Sequence, residues 1–295
     1  MLAIVRIIAL VCGPVALGGL LAAGPALLDR AAMIRRHLGN HTDGVGLGTG
    51  YASCGPASFL QIPCAASTTT APALGEHVLL WHEDGNGPGI ATTPLINTQP
   101  SGSALIVFSA GYASNTLPPT DSKGNTWTPL GAPAIYRGYN GEFNVKAYLA
   151  TSARGGNGHS VSIVKNGNPS GEITVPFVEV RQSSALHAVA QNYPSSAPVV
   201  TSGNVTTTAA ATLGAVWWGD ATGLQHSAIP NNGFSIIENF VNLPPNSAVQ
   251  CVVAARQVVA AGTYNVSWTQ SPSEGAILWL LAFQADDPVF ASGFD

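Results

Sequence analysis

A chain of 295 residues with a formal net charge of −4 is long enough to bury a sizeable core, in one large domain or two small ones. Eleven Lys and Arg in all leave no basic field to hold a phosphate backbone, which excludes nucleic acid as a natural partner. Charged residues are only 9%, and 33 Gly and 21 Pro stand beside abundant Thr, Ser, Val and Ala, a mixture that favours an all-β protein with many turns.

Residues 1–28 contain Arg6 and an almost uninterrupted apolar run from Ile7 to Leu28, expected to be a secretory signal peptide or a retained membrane anchor. Gly24-Pro25-Ala26 supplies small residues for cleavage, yet its proline is badly placed, and Arg30, Arg35 and Arg36 beyond the run oppose simple export. The expected location is secreted or cell-surface, anchored if the segment stays. Residues 29–73 read as a low-charge linker or a disulfide-closed cap. The alternating glycines from Gly44 to Gly50 have no strand before them and no Lys-Ser/Thr after them, so they are not read as a phosphate loop. Cys54 and Cys64, with Pro56 and Pro63 between them, have the spacing of a small disulfide worth roughly 3 kcal/mol. Cys251, flanked by Val249 and Val253, is expected to be a small buried hydrophobe.

The strongest local signal lies between Ser103 and Leu130. An apolar strand through Ala104 to Phe108, a polar turn from Asp121 to Asn125 and a second strand opening on Thr126-Trp127-Thr128 predict a hairpin-like unit. Elsewhere between residues 74 and 285 the period is two. Glu76 to His82, Glu142 to Leu149, His159 to Lys165 and Glu172 to Gln182 are strand candidates. In the second of these, Phe143, Val145, Ala147 and Leu149 are expected on one face and Asn144, Lys146 and Tyr148 on the other. Pro176 predicts an edge position or a bulge for its strand. Val205 to Thr208, Thr212 to Trp218, Phe234 to Phe240, Val249 to Val259, Thr263 to Thr269 and Ala276 to Gln284 follow. The expectation is an antiparallel two-sheet β-sandwich of jelly-roll type.

The order of these segments resembles a largely uncharacterised β-sandwich domain of secreted bacterial proteins. Asp121-Ser122-Lys123-Gly124-Asn125-Thr126-Trp127 is similar to its D-S-x-G-N-T-W turn, and Val145 to Tyr148, Val178 to Val180, Val205 to Ala210 and Gly262 to Tyr264 fall in the same order. The resemblance spans Leu74 to Gln284 and implies fold and export; it carries no catalytic residues. Residues 286–295 hold a second resemblance: Asp287 to Asp295 looks like the IF-x-x-GF-E/D ending of secreted Gram-negative proteins, and it too implies export.

Several groups carry candidate chemistry. His82-Glu83-Asp84-Gly85-Asn86 is the densest ionisable stretch; Asp84 and Asn86 are the candidate oxygen ligands for a structural calcium, the single cofactor considered, against the simpler reading of a strand-ending turn. A glycosidase needs two carboxylates on one cleft, and Asp121, Glu142, Glu179, Asp220 and Glu238 offer no distinguished pair. No G-x-S-x-G elbow occurs, and His159, His187 and His226 read as isolated and solvated. Trp217 and Trp218 are adjacent on a strand and must face opposite ways, so one ring is a candidate for stacking on sugar, with Tyr136, Tyr139 and Tyr193 joining the platform. The alternative is that both indoles are covered. Trp81, Trp127, Trp268 and Trp279 are expected in the core. These features predict a non-enzymatic surface, adhesion or glycan-binding module whose partner is a polysaccharide or cell-surface glycan. A structural subunit that self-associates, and more distantly a glycoside hydrolase, are the competing expectations.

Overall fold

The computed structural model describes residues 51–53, 63–65 and 71–284, except for 115, 140, 142, 167–170, 184, 220–224 and 243–246. The apolar run at the N-terminus, Cys54, Glu142, Asp220 and the C-terminal tail motif therefore lie outside the described residues. The chain divides into Met1–Ala66 and Ser67–Asp295. In the first unit β1 (Tyr51–Ser53) pairs antiparallel with β2 (Pro63–Ala65), Ala52 opposite Cys64.

The second unit is all-β, and every described element in it is a strand. Its first half runs β3 (Ala73–His82), β4 (Gly89–Thr92), β5 (Ile96–Thr98), β6 (Ser103–Tyr112), β7 (Thr120–Asp121), β8 (Thr128–Ile135), β9 (Phe143–Ala153), β10 (Gly156–His159), β11 (Val161–Lys165) and β12 (Ile173–Arg181). Its second half runs β13 (Leu186–Asn192), β14 (Ala197–Thr201), β15 (Val205–Thr207), β16 (Ala211–Gly219), β17 (Ser227–Pro230), β18 (Ser235–Phe240), β19 (Cys251–Val258), β20 (Gly262–Tyr264), β21 (Ser267–Glu274) and β22 (Ala276–Gln284). The sheets of the first half have the orders β3-β12-β6-β9-β8, β4-β11-β7 and β10-β5. Those of the second have β13-β22-β16-β19-β18, β14-β21-β17 and β15-β20. Adding ten to every label of the first half gives the second.

The repeat extends to side chains. Thr92 Oγ1 and Ser162 Oγ lie 2.9 Å apart across β4 and β11, and Thr201 Oγ1 and Ser267 Oγ lie 2.9 Å apart across β14 and β21. Gly111 stands opposite Ile173 where β6 meets the start of β12, as Gly219 stands opposite Ala276 where β16 meets the start of β22.

Three apolar clusters fill the unit. One lies between the five-stranded sheets and joins Ile106, Phe108, Val145 and Val178 to Trp218, Val253, Trp279 and Phe283. Phe108 meets Trp218 at 5.1 Å and Trp279 at 5.5 Å between ring centroids. A second fills the interior of the first half, with Leu105, Val107, Trp127, Ile163 and Phe177. The third fills the second half, with Leu213, Trp217, Val252, Trp268 and Leu280. Each five-stranded sheet is thus apolar on both faces, which is why β6 and β22 are buried along almost their whole length.

This layering changes several expectations. β6 pairs with β12 and β9, not with the strand after the Asp121 turn; that turn instead links β7 to β8. Phe143, Val145 and Ala147 do share one face of β9, but Asn144 and Lys146 on the other are buried too, because the first half's own interior covers them. Pro176 sits in β12, between β3 and β6 rather than at an edge. It is accommodated because the ladder to β6 runs from Thr174 to Phe177 with neither Val175 nor Pro176 paired.

Candidate functional site

The halves also meet along their sheet edges. On one side His77 of β3 contacts Glu238 of β18 at 2.7 Å, and Trp81 stacks on Phe240 at 4.3 Å. Trp81, expected in the core, is 40% exposed on this seam. On the other side β8 faces β13, and a cleft of about 280 Å³ opens, lined by Ala132, Pro133, Gln191, Asn192, Tyr193 and Trp279 among others.

The cleft follows from a bulge in β8, where the register with β9 shifts between Leu130 and Ala134. Gly131 sits in the bulge with φ +64°, and a Cβ there would fall 2.5 Å from Gln191 Oε1 and 2.9 Å from the Trp279 ring. The Gln191 side chain completes the bulge: its Oε1 accepts from Ala132 N at 3.2 Å and its Nε2 donates to Ala132 O at 2.7 Å. At the rim, Arg137 N donates to Tyr193 Oη. The Arg137 guanidinium donates to Tyr193 O at 2.6 Å and Pro194 O at 2.8 Å, and lies 4.0 Å over the Tyr193 ring. Tyr139 stacks on Phe143 at 4.5 Å, and Tyr136 meets Tyr139 edge-on at 6.2 Å.

Of the five aromatic residues singled out for sugar stacking, the structure gathers the three tyrosines near this rim. Tyr139 is 43% exposed, Tyr193 is half-buried and Tyr136, at 2%, belongs to the cluster between the sheets. The tryptophans do not join them. Trp217 and Trp218 face opposite ways as expected, but both are 0% exposed, one in the second half's interior and one between the halves. A strand covered on both faces has no outer side on which to offer a ring. Trp127, Trp268 and Trp279 are buried as expected.

The other candidates separate. Asn86 Oδ1 accepts from Lys165 Nζ at 3.1 Å, while Asp84 Oδ1 accepts from Gly85 N at 2.8 Å. Their oxygens thus accept from different partners within the protein. Glu172 joins this end of the molecule: Ser247 hydrogen-bonds to it, while burial and, less strongly, the Asp84 charge push its carboxyl up.

The acids weighed for glycoside chemistry are committed to structure where they are described. Asp121 Oδ1 accepts from Lys123 N and Oδ2 from Trp127 Nε1, each at 2.7 Å, so the Asp-Ser-Lys-Gly-Asn-Thr-Trp turn is tied by its first residue to its last. Glu179 is fully buried in the first half and accepts from Gln99 N and Ser103 Oγ at 2.7 Å and from Glu76 N and Arg181 Nε at 3.1 Å. Glu238 meets His77. Two histidines read as solvated are buried instead. His159 Nδ1 is 2.8 Å from Thr98 Oγ1, with Nε2 3.5 Å from Asp121; burial lowers its pKa, while Asp121 acts against the shift. His226 Nδ1 pairs with Glu274, and His187 alone is exposed. A histidine beside a distant carboxylate leaves no local sequence signal, which is why these two pairs were not foreseen.

No protein-family model, curated protein or solved structure matches this chain.

Proposed function

We propose that the protein is a secreted or cell-surface β-sandwich that binds a polysaccharide or cell-surface glycan in the cleft between β8 and β13, without acting on it. The observation that carries this reading is the cleft's lining. Tyr193 and nearby Tyr139 present aromatic faces, the Asn192 carboxamide oxygen lies beside a Gln191 amide that is held in the β8 bulge, Arg137 braces the rim, and none of the described lining residues is a carboxylate. Sugar rings are recognised by that combination of stacking and amide hydrogen bonds. Hydrolysis would require two facing acids, which this lining does not provide. The apolar run at residues 7–28 and the tail ending at Asp295 support export.

Within this proposal each half is a jelly roll. The orders β3-β12-β6-β9 and β4-β11-β7, repeated in the second half, support this reading, because rolling up a Greek key would produce them.

The test is affinity electrophoresis of the whole exported chain against a panel of polysaccharides, with Tyr139→Ala and Tyr193→Ala alongside. Retardation on at least one glycan, weakened in both folded variants, is the expected result. Free migration on every glycan would remove the reading. A structural, self-associating role has one observation in its favour: Val199 and Ile229, both opposite Thr269 on the β14-β21-β17 sheet, are 50% and 57% exposed. Sedimentation of the same sample would show that state as a concentration-dependent increase in mass.

A further inference from the structure

Two lysines of the first half are buried and make no ion pair with a described carboxylate. Lys146 shares the face of β9 that carries Tyr148 and Ala150 into the first-half interior, and Lys165 shares the face of β11 that carries Val161 and Ile163 there. Lys146 is 8% exposed and Lys165 is 5%. Lys146 Nζ donates to Ser114 O at 2.5 Å; Lys165 Nζ donates to Asn86 Oδ1 at 3.1 Å and lies 3.1 Å from His82 Nδ1. All three acceptors are neutral, and among the described residues neither lysine pairs with a carboxylate.

Both lysines lie at one end of the first half, its mouth, which Asp84 and Glu172 share. Ser114, whose carbonyl holds Lys146, donates its N–H to Val164 O at 2.8 Å, and Ala113 bridges to Lys165 itself. Asn144, opposite Gly111, lies on the same face of β9 as Lys146. Burial lowers the pKa of both lysines, and burial together with the Lys165 charge lowers that of His82.

The second half shows that the fold does not require these charges. Lys146 stands opposite Ser109, two residues before Gly111; Val252 stands opposite Trp217, two residues before Gly219. Lys165 comes three residues after Ser162 of the Thr–Ser hydroxyl pair; Gln270 comes three residues after Ser267 of the matching pair. Val252 and Gln270 thus occupy the positions of the lysines; Trp217 Nε1 donates to Gln270 Oε1 at 2.8 Å, and the carboxylate beside them, Glu274, is paired with His226.

We propose that the first-half mouth binds a small oxyanion, a carboxylate, sulfate or phosphate group, through Lys146 and Lys165. A buried ammonium is costly without a counter-charge, and an oxyanion supplies acceptors for the donors that Ser114, Asn86 and His82 leave unused. The site is separate from the cleft at Tyr193 and does not depend on it.

The experiment measures the melting temperature of the full chain in acetate, glucuronate, sulfate and phosphate against chloride at equal ionic strength. Lys165→Gln and Lys146→Val, the residues of the second half, serve as variants. Sulfate and phosphate stabilise proteins in general, so the quantity read is the difference between wild type and variant. The expected result is a wild-type melting temperature that climbs with the logarithm of one oxyanion's concentration and stays flat, relative to chloride, in both variants. Which anion acts separates a carboxylate site from a sulfate or phosphate site. Equal shifts in all three proteins, or none beyond chloride, would overturn the proposal. Should a variant not fold, the wild-type lysine side-chain NMR signals decide: two buried Lys resonances that move on titration support the site, and resonances that stay fixed with all four anions refute it.

Discussion

The first half of the sandwich encloses Lys146, Lys165, the Asp121–His159 pair and Glu179, whereas at corresponding points the second half places Val252, Gln270 and Ala282. Glu179 stands opposite Leu105 in the ladder to β6, as Ala282 stands opposite Leu213 in the ladder to β16. One strand order is therefore compatible with a charged interior and with an apolar one. Among its described residues the second half keeps one buried ion pair, His226–Glu274, and fills its interior with Trp217 and Trp268. Strand order is set by backbone pairing and two apolar faces; what lines the mouths is free to diverge, and there the halves differ most.

The comparison can be broken most forcefully at Glu179. Replacing it with Ala, the residue of the second half, strands the donors of Gln99, Ser103, Glu76 and Arg181, and should destabilise the protein by about 3–5 kcal/mol in urea denaturation. A loss below about 1 kcal/mol would mean that the two interiors are interchangeable at this point. Trp217→Ala and Trp218→Ala should each cost about 3–5 kcal/mol. They differ in kind: Trp218 packs against Phe108 of the other half, so Trp218→Ala should lower the cooperativity between halves in calorimetry, and Trp217→Ala should not.

Smaller effects sharpen the picture. Gly124 adopts φ +69° in the Asp121 turn, and Gly124→Val should cost about 1–2 kcal/mol of thermal stability. No change in melting would detach that turn from the stability of the first half. Glu172, with its carboxyl pushed up by burial, binds its proton more tightly folded than unfolded. Its contribution is present below the usual carboxylate pKa and is lost as pH rises through the raised value. Glu172→Gln should therefore gain stability over wild type at neutral pH and lose that advantage in acid. Last, double-mutant cycles on Thr92–Ser162 and Thr201–Ser267 should give matching couplings of about 0.2–1 kcal/mol if the halves are equivalent on their outer sheets.

Much of the strand map was legible. Glu76 to His82, Ala104 to Phe108, Thr212 to Trp218 and Ala276 to Gln284 fall within β3, β6, β16 and β22, because β-branched runs bounded by Gly, Pro and Asn have few other solutions. Tyr136, Tyr139 and Tyr193 stood out in the sequence as aromatic residues, but of these only Tyr193 lines the cleft. The cleft itself was not legible, since Gln191 reaches the β8 bulge from another half of the molecule. The tryptophans misled for a related reason. Adjacent residues on a strand do face opposite ways, but whether the second face meets water depends on what else packs there.

By itself the sequence determined that the chain is β throughout its described core, where its turns fall, and that Asp121 and Gly124 shape one of them. These are local properties of backbone and side chain, written in neighbouring residues. Only the tertiary structure decided that β6 lies between β12 and β9, that a second half repeats the first, and that both faces of each large sheet are covered. Pairing and burial on two faces are contacts between residues distant in the chain, and an apolar run reads the same whether one face or two will be packed.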